Sequence, residues 1–174
     1  GRHGVPDNLR LDPLAWPGAL TFPLALALAI RGAHAPWDAI VSHWAIPSAL
    51  AALPFCLYRP HVAVMHGSDV HLACALPRGV REAIARSATT LSFVSSDLQG
   101  RFVRGLPAHG QVVVQPMGID AAETLGRDRA RARERSGFTR TTALAMSRLV
   151  PIKGLERAIA GVSRVDGIEL VIAG

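Results

Sequence analysis

The residues able to do chemistry in this chain sit in short polar clusters, each just after an apolar run. Ser42-His43-Trp44-Ala45-Ile46-Pro47-Ser48 follows the first run, His66-Gly67-Ser68-Asp69 the second, and Ser147-Arg148-Leu149-Val150-Pro151-Ile152-Lys153-Gly154 a later one. In the last cluster the Arg148 guanidinium can hold an oxyanion as a planar fork, and Lys153, the only lysine of the chain, supplies a mobile point charge. A helix starting at Gly154 would add its dipole, which favours anions at that end. The plainer reading is a surface Arg and Lys at a helix start. In the second cluster Gly67 permits close backbone approach to a ligand. Asp69 is expected to cap the following helix, with help in positioning His66 as the other option. His66 on its own is a strand-end histidine, a kind more often structural than functional.

Other constellations point nowhere in particular. Five of the seven histidines fall between His34 and His71, but no His-x3-His pair and no neighbouring cysteine pair accompanies them, so no metal is expected. Ser42, Ser68 and Ser95 lack the setting of a nucleophile elbow, and no Gly-x4-Gly-Lys-Ser/Thr loop occurs. Two cysteines, Cys56 and Cys74, cannot make a disulfide-stapled or zinc-ribbon scaffold.

The elements that must carry these clusters follow from the apolar pattern. Ala39-Ile40-Val41, Val62-Ala63-Val64-Met65, Leu91-Ser92-Phe93-Val94, Val112-Val113-Val114, Ala143-Leu144-Ala145-Met146 and Leu170-Val171-Ile172 read as strands. They lack strict polar alternation, which predicts cover on both faces. Helical stripes lie between them: Leu98, Phe102, Val103 and Leu106 behind a Ser95-Ser96 cap, and Leu155, Ala158, Ile159 and Val162 after Lys153-Gly154. Strand–helix alternation throughout predicts an α/β fold with Rossmann-like parallel sheets. The spacing breaks once, in the roughly 26 residues between Gln115 and Thr141, which have room for at most one amphipathic helix. A domain boundary is expected there. Residues 1–120 would form a partial Rossmann-like domain, and 121–174 a linker with the first β-α-β of another.

Length and composition limit the alternatives. The 174 residues are 49% hydrophobic and 18% charged, which excludes a disordered tail. The net charge of +6 is concentrated: six arginines lie between Arg127 and Arg140, opposed by Asp128 and Glu134 alone. A nucleic-acid surface would spread cations along a face among aromatics, and Phe138 is the single aromatic here, so a solvated helix without nucleic-acid partners is expected. Pro13 to Ile30 is uncharged, but Pro17, Gly18 and Pro23 interrupt it, leaving far fewer than the ~20 residues of a membrane span. A buried or interfacial helix is the expectation. The chain starts without Met and stops at Gly174 directly after an apolar run, which reads as incomplete at both ends.

Five pieces taken in order resemble the retaining glycosyltransferases of family 4, which have the two-domain GT-B fold. They are Asp38-Ala39-Ile40-Val41-Ser42-His43, His66-Gly67-Ser68-Asp69, Val94-Ser95-Ser96, Pro116-Met117-Gly118-Ile119-Asp120 and Arg148-Leu149-Val150-Pro151-Ile152-Lys153-Gly154. The resemblance runs from about Trp37 to Gly174. It implies most of an N-terminal, acceptor-side domain and the start of a C-terminal, donor-binding one. It also implies a nucleotide-sugar donor as substrate, a glycan, lipid-linked or small-molecule acceptor, and no metal or other cofactor. By the same resemblance, Arg148 and Lys153 bind the donor diphosphate, and His66 touches a hydroxyl of the donor sugar and serves catalysis. His43, Trp44 and Ser48 would line the acceptor side. Gly118 would meet a turn requirement, and Asp120 would fix its loop. Ser147 stands where the family commonly has a glycine. The family's glycine-rich N-terminal loop and its two glutamates eight apart would lie outside these residues, so the 174 residues alone are expected to transfer little. The apolar Leu14–Ile30 stretch and the arginines imply a cytoplasmic enzyme in peripheral contact with the anionic inner face of a membrane. Two rival readings are a non-catalytic, truncated Rossmann-like module that binds a nucleotide or a partner, and a GT-B nucleotide-sugar epimerase.

Overall fold

The computed structural model describes residues 12–33, 37–56, 58–108, 110–124 and 128–174. His34 of the histidine group and Arg127 of the arginine run lie outside the described residues. The chain divides into two compact units, one ending at Gly118 and one running from Ile119 to Gly174. Both are α/β with parallel strands.

In the first unit, helix α1 (Ala15–Gly32) precedes β1 (Ile40–His43). A tight turn at Ala45–Ala49, the short α2 (Leu50–Ala52) and a 3₁₀ turn at Leu53–Phe55 lead to β2 (His61–Met65). Then come α3 (Ser68–Ala75), α4 (Arg78–Ser87), β3 (Thr90–Phe93), α5 (Ser96–Val103) and β4 (Gln111–Val114). The sheet order is β1-β2-β3-β4, every pair parallel. The register aligns Ser42, Ala63, Leu91 and Val112 across the sheet, and Met65 with Phe93 and Val114. On that face Ala63, Met65, Leu91 and Phe93 pack with Val70, Ala73, Ile84, Ala85, Leu98 and Phe102 from the helices, forming one core. Phe93 and Phe102 meet with ring centroids 5.6 Å apart.

The expectation of cover on both faces needs correction. Neighbouring parallel strands in chain order, joined by right-handed crossovers, return every helix to the same side of the sheet. The other face carries Val41, 62% exposed, with Val62, Val64 and Val113 only partly buried. The same residue types therefore occupy both faces, but among the described residues the hydrophobic core lies on one face, with Ser92 the buried residue on the other.

Helix α5 shows how local sequence and long-range contacts combine. Ser95 caps its start, its side chain accepting from the Leu98 N–H at 3.4 Å. Its end is held from α4, where Arg81 Nη1 donates to the carbonyls of Arg101, Phe102 and Arg104 at 3.4, 2.6 and 3.3 Å. A cation on orphan C-terminal carbonyls satisfies both hydrogen bonding and the dipole.

Helix α1 is neither interrupted nor buried. It runs through Pro23, and Pro17 sits in the first turn, where a missing N–H leaves no intrahelical bond unmade. None of its residues is fully buried. It rests on α2 and the Ala45–Ala49 turn and keeps Trp16, Leu20, Phe22, Leu24 and Leu28 exposed. Among the described residues no helix is long and apolar enough to cross a membrane.

The second unit is thinner. Two short helices, α6 (Ala121–Thr124) and α7 (Arg129–Ser136), stand where at most one amphipathic helix was expected. Helix α7 buries nothing. Asp128 caps it through the Ala130 and Arg131 N–H groups, and Gly137 ends it in the left-handed region at φ 68°. Strands β5 (Thr141–Met146) and β6 (Ile168–Ala173) pair in parallel, linked through a 3₁₀ turn at Pro151–Lys153 and helix α8 (Leu155–Val162). Thr142 Oγ1 donates to Glu169 Oε1 at 2.7 Å across the pair. Within the α8 stripe Leu155, Ala158 and Val162 are half-buried and Ile159 is 53% exposed.

Gly118 is also corrected. It does not adopt a positive φ, and a Cβ there would meet nothing within 4 Å, so the turn does not require glycine.

Candidate functional site

The polar clusters lie at the carboxyl ends of parallel strands, where open α/β sheets bind ligands. At the ends of β1 and β2 the organising group is Asp69, 2% exposed. Its Oδ1 accepts the N–H groups of His66 and Gly67 at 3.0 and 2.7 Å, and its Oδ2 accepts the Ala45 N–H at 2.8 Å. A capping role and a positioning role were alternatives in the sequence. Here one carboxylate reaches back to the N-cap Gly67, fixes the His66 backbone and ties in the loop after β1.

Gly67 has φ 140° and ψ −72°, outside the range open to residues with a side chain. A Cβ there would make only an ordinary contact, with Leu98 Cδ1 at 3.9 Å, so the requirement is conformational. Trp44 is the only described non-glycine residue at positive φ, with φ 80° and ψ 130°. Such a conformation in a bulky residue costs on the order of 1–3 kcal/mol and persists only when its surroundings impose it. They do: the Trp44 N–H donates to the Val64 carbonyl at 2.8 Å, and the next N–H is held by Asp69. Trp44 itself is 41% exposed. Ser48 lies half-buried in the turn that follows.

His43 and His66 come together. His43 Nδ1 and His66 Nε2 are 2.9 Å apart, and the rings stack with centroids 5.2 Å apart at 28°. The register explains it. His43 pairs with Val64, and two residues further along β2's direction His66 falls on the same side as His43. Sequence reasoning had put His43 on the acceptor side and His66 on the donor sugar. The pairing was not legible without the register.

At the end of β5 the arrangement is looser. Arg148 and Lys153 are both exposed, and neither side chain has an ion-pair or hydrogen-bond partner among the described residues. Backbone bonds shape the loop: Ser147 N–H to the Ala173 carbonyl at 3.0 Å, and Lys153 N–H to the Val150 carbonyl at 3.0 Å. Gly154, at φ 64°, is the N-cap of α8, which has no side-chain cap. Amide groups at that helix start are therefore left for another acceptor. Asp120 accepts the Ala122 N–H at 2.9 Å and so starts α6.

One contact went unseen in the sequence. His61 is fully buried, with Nε2 2.8 Å from the Oγ of buried Ser42. Burial pushes its pKa below the ordinary histidine value. The nearby Ser87 backbone opposes this only in part, and His61 Nδ1 makes no hydrogen bond. With no carboxylate on Nδ1 and no access to solvent, the Ser42–His61 pair is a structural link between strands. Among the described residues, no three His, Cys, Asp or Glu side chains converge as a metal would require.

No protein-family model matches the sequence, and no curated protein matches it either.

Proposed function

We propose that this chain is part of a retaining glycosyltransferase of GT-B type, resembling family 4, which moves a sugar from a nucleotide-sugar to a glycan, lipid-linked or small-molecule acceptor. One observation carries the reading. The His66–Asp69 and Arg148–Gly154 loops both leave the carboxyl end of a parallel strand and enter a helix through a glycine at positive φ, with no side-chain cap at that glycine. Such junctions suit phosphate and sugar ligands, since both allow close backbone approach and the start of α8 leaves amides for an anion.

In this reading Arg148 and Lys153 take the diphosphate. Their side chains have no internal partners among the described residues, so no existing ion pair must break to bind an anion. As the glycosidic bond breaks, negative charge grows on the leaving diphosphate, and fixed cations and amides stabilise it more than the ground state. His66 hydrogen-bonds a hydroxyl of the donor sugar. The exposed Trp44 indole offers an apolar face to an acceptor ring, next to His43 and Ser48. Peripheral contact with an anionic membrane through the exposed residues of α1 belongs to the same proposal, as does a cytoplasmic setting.

The test is binding of UDP-, GDP- and ADP-hexoses by the protein and by its Arg148→Ala/Lys153→Ala variant. One donor is expected to bind, and the variant to lose roughly 100-fold or more, from two charge-assisted bonds of about 1.5–3 kcal/mol each. Absence of binding to any of them, or equal affinity in the variant, rejects the assignment. Flotation with anionic and neutral liposomes checks the membrane part, and equal partitioning would count against it.

A further inference from the structure

We infer that His43 is a positioning residue that sets the tautomer of His66, so that His66 presents Nδ1 as a lone-pair acceptor to a ligand hydroxyl. The inference rests on the proposed function only in taking that hydroxyl to be a sugar's.

A hydrogen bond joins His43 Nδ1 and His66 Nε2 at 2.9 Å. Between two neutral imidazoles one nitrogen must carry the proton and the other must accept it. If His43 Nδ1 donates, His66 must carry its own proton on Nδ1, and both rings adopt the form that is less favoured in water. If His66 Nε2 donates, both rings are in the favoured Nε2–H form. The second arrangement satisfies the contact at no tautomeric cost. It also fixes the remaining atom, because the bond made by one ring nitrogen determines the state of the other.

Nothing else competes for that atom. His66 Nδ1 has no hydrogen-bond partner among the described residues, and the ring is half-buried rather than enclosed. Asp69, the carboxylate of the same loop, has both oxygens committed to the backbone N–H groups of Ala45, His66 and Gly67. The ring plane is further limited by the stacking contact with His43. A fixed lone pair accepts from a hydroxyl and repels carbonyl and phosphate oxygens. This gives His66 a preference for hydroxyl-bearing ligands over carbonyl and phosphate groups.

Imidazole ¹⁵N NMR tests this in the ligand-free protein at about pH 8.5, well above the usual histidine pKa of ~6.5. The expected spectrum has His66 protonated on Nε2 and bare on Nδ1, with a nitrogen–nitrogen coupling across the hydrogen bond to His43 Nδ1. His43→Ala should abolish the coupling and let His66 sample both tautomers. His43→Asn, whose side-chain oxygen can replace Nδ1 as acceptor, should keep His66 protonated on Nε2 without the coupling. The inference is overturned if the proton is on His43 Nδ1, if the folded parent protein shows no coupling, or if His43→Ala leaves the tautomer populations of His66 unchanged. Since no ligand is present, these outcomes stand apart from nucleotide-sugar binding, whose absence would reject the glycosyltransferase reading alone.

Discussion

Asp69 and Arg148 occupy comparable places, each a few residues past a parallel strand at a strand-to-helix junction, yet they are held in opposite ways. Asp69 is 2% exposed and accepts three backbone N–H groups. Arg148 is exposed, with no side-chain partner among the described residues. The units around them differ likewise. The β1–β4 sheet packs one face into a continuous core, while Val150 is the only buried hydrophobic residue described in the β5–β6 unit. A loop anchored to a packed sheet can hold strained backbone, as at Trp44, and fix an imidazole pair. A loop shaped by its backbone alone leaves long cationic side chains to be ordered by whatever anion arrives, and that ordering costs side-chain entropy on binding.

The contrast is tested most severely by emptying the core. Phe93→Ala removes a fully buried ring that touches Phe102 and should lose about 3–5 kcal/mol in denaturant unfolding. Ile159→Ala, at a position 53% exposed, should lose about 1 kcal/mol or less. Similar losses at the two positions would mean that the second unit is as firmly packed as the first.

Next in size is the difference between the loops. Asp69→Ala leaves three backbone donors without their acceptor, at about 1–3 kcal/mol for each one that water cannot reach, so a loss of about 3 kcal/mol is expected. Arg148→Ala should change stability by no more than about 0.5 kcal/mol. If Asp69→Ala proved as mild as Arg148→Ala, the first loop would not depend on its carboxylate.

The mildest change is one of pH. Burial lowers the pKa of His61 in the folded state, so the unfolded chain binds the proton more readily. That contribution to stability is complete above the unfolded value near ~6.5 and is lost as pH falls through it toward the folded value. His61→Gln should flatten the fall in stability between pH 7.5 and 5.5. An unchanged slope would remove His61 as its source.

Local sequence was enough to place the six strands, the Ser95 cap, the stripe through Leu98 and Phe102, and the polar clusters at strand ends. Those features are written in short apolar runs, in a helical repeat of three to four residues and in local side-chain chemistry, which act within one element. Which face of the sheet is packed was decided by strand order, because sequential parallel crossovers send every helix to one side. The pairing of His43 with His66 and the bond from Asp69 to Ala45 join residues 23 and 24 positions apart. Such contacts depend on register, and a shift of one residue would turn His43 to the other face of the sheet. The need for glycine at 67 and its absence at 118 likewise came from backbone angles that the surrounding structure imposes, which residue type alone does not reveal.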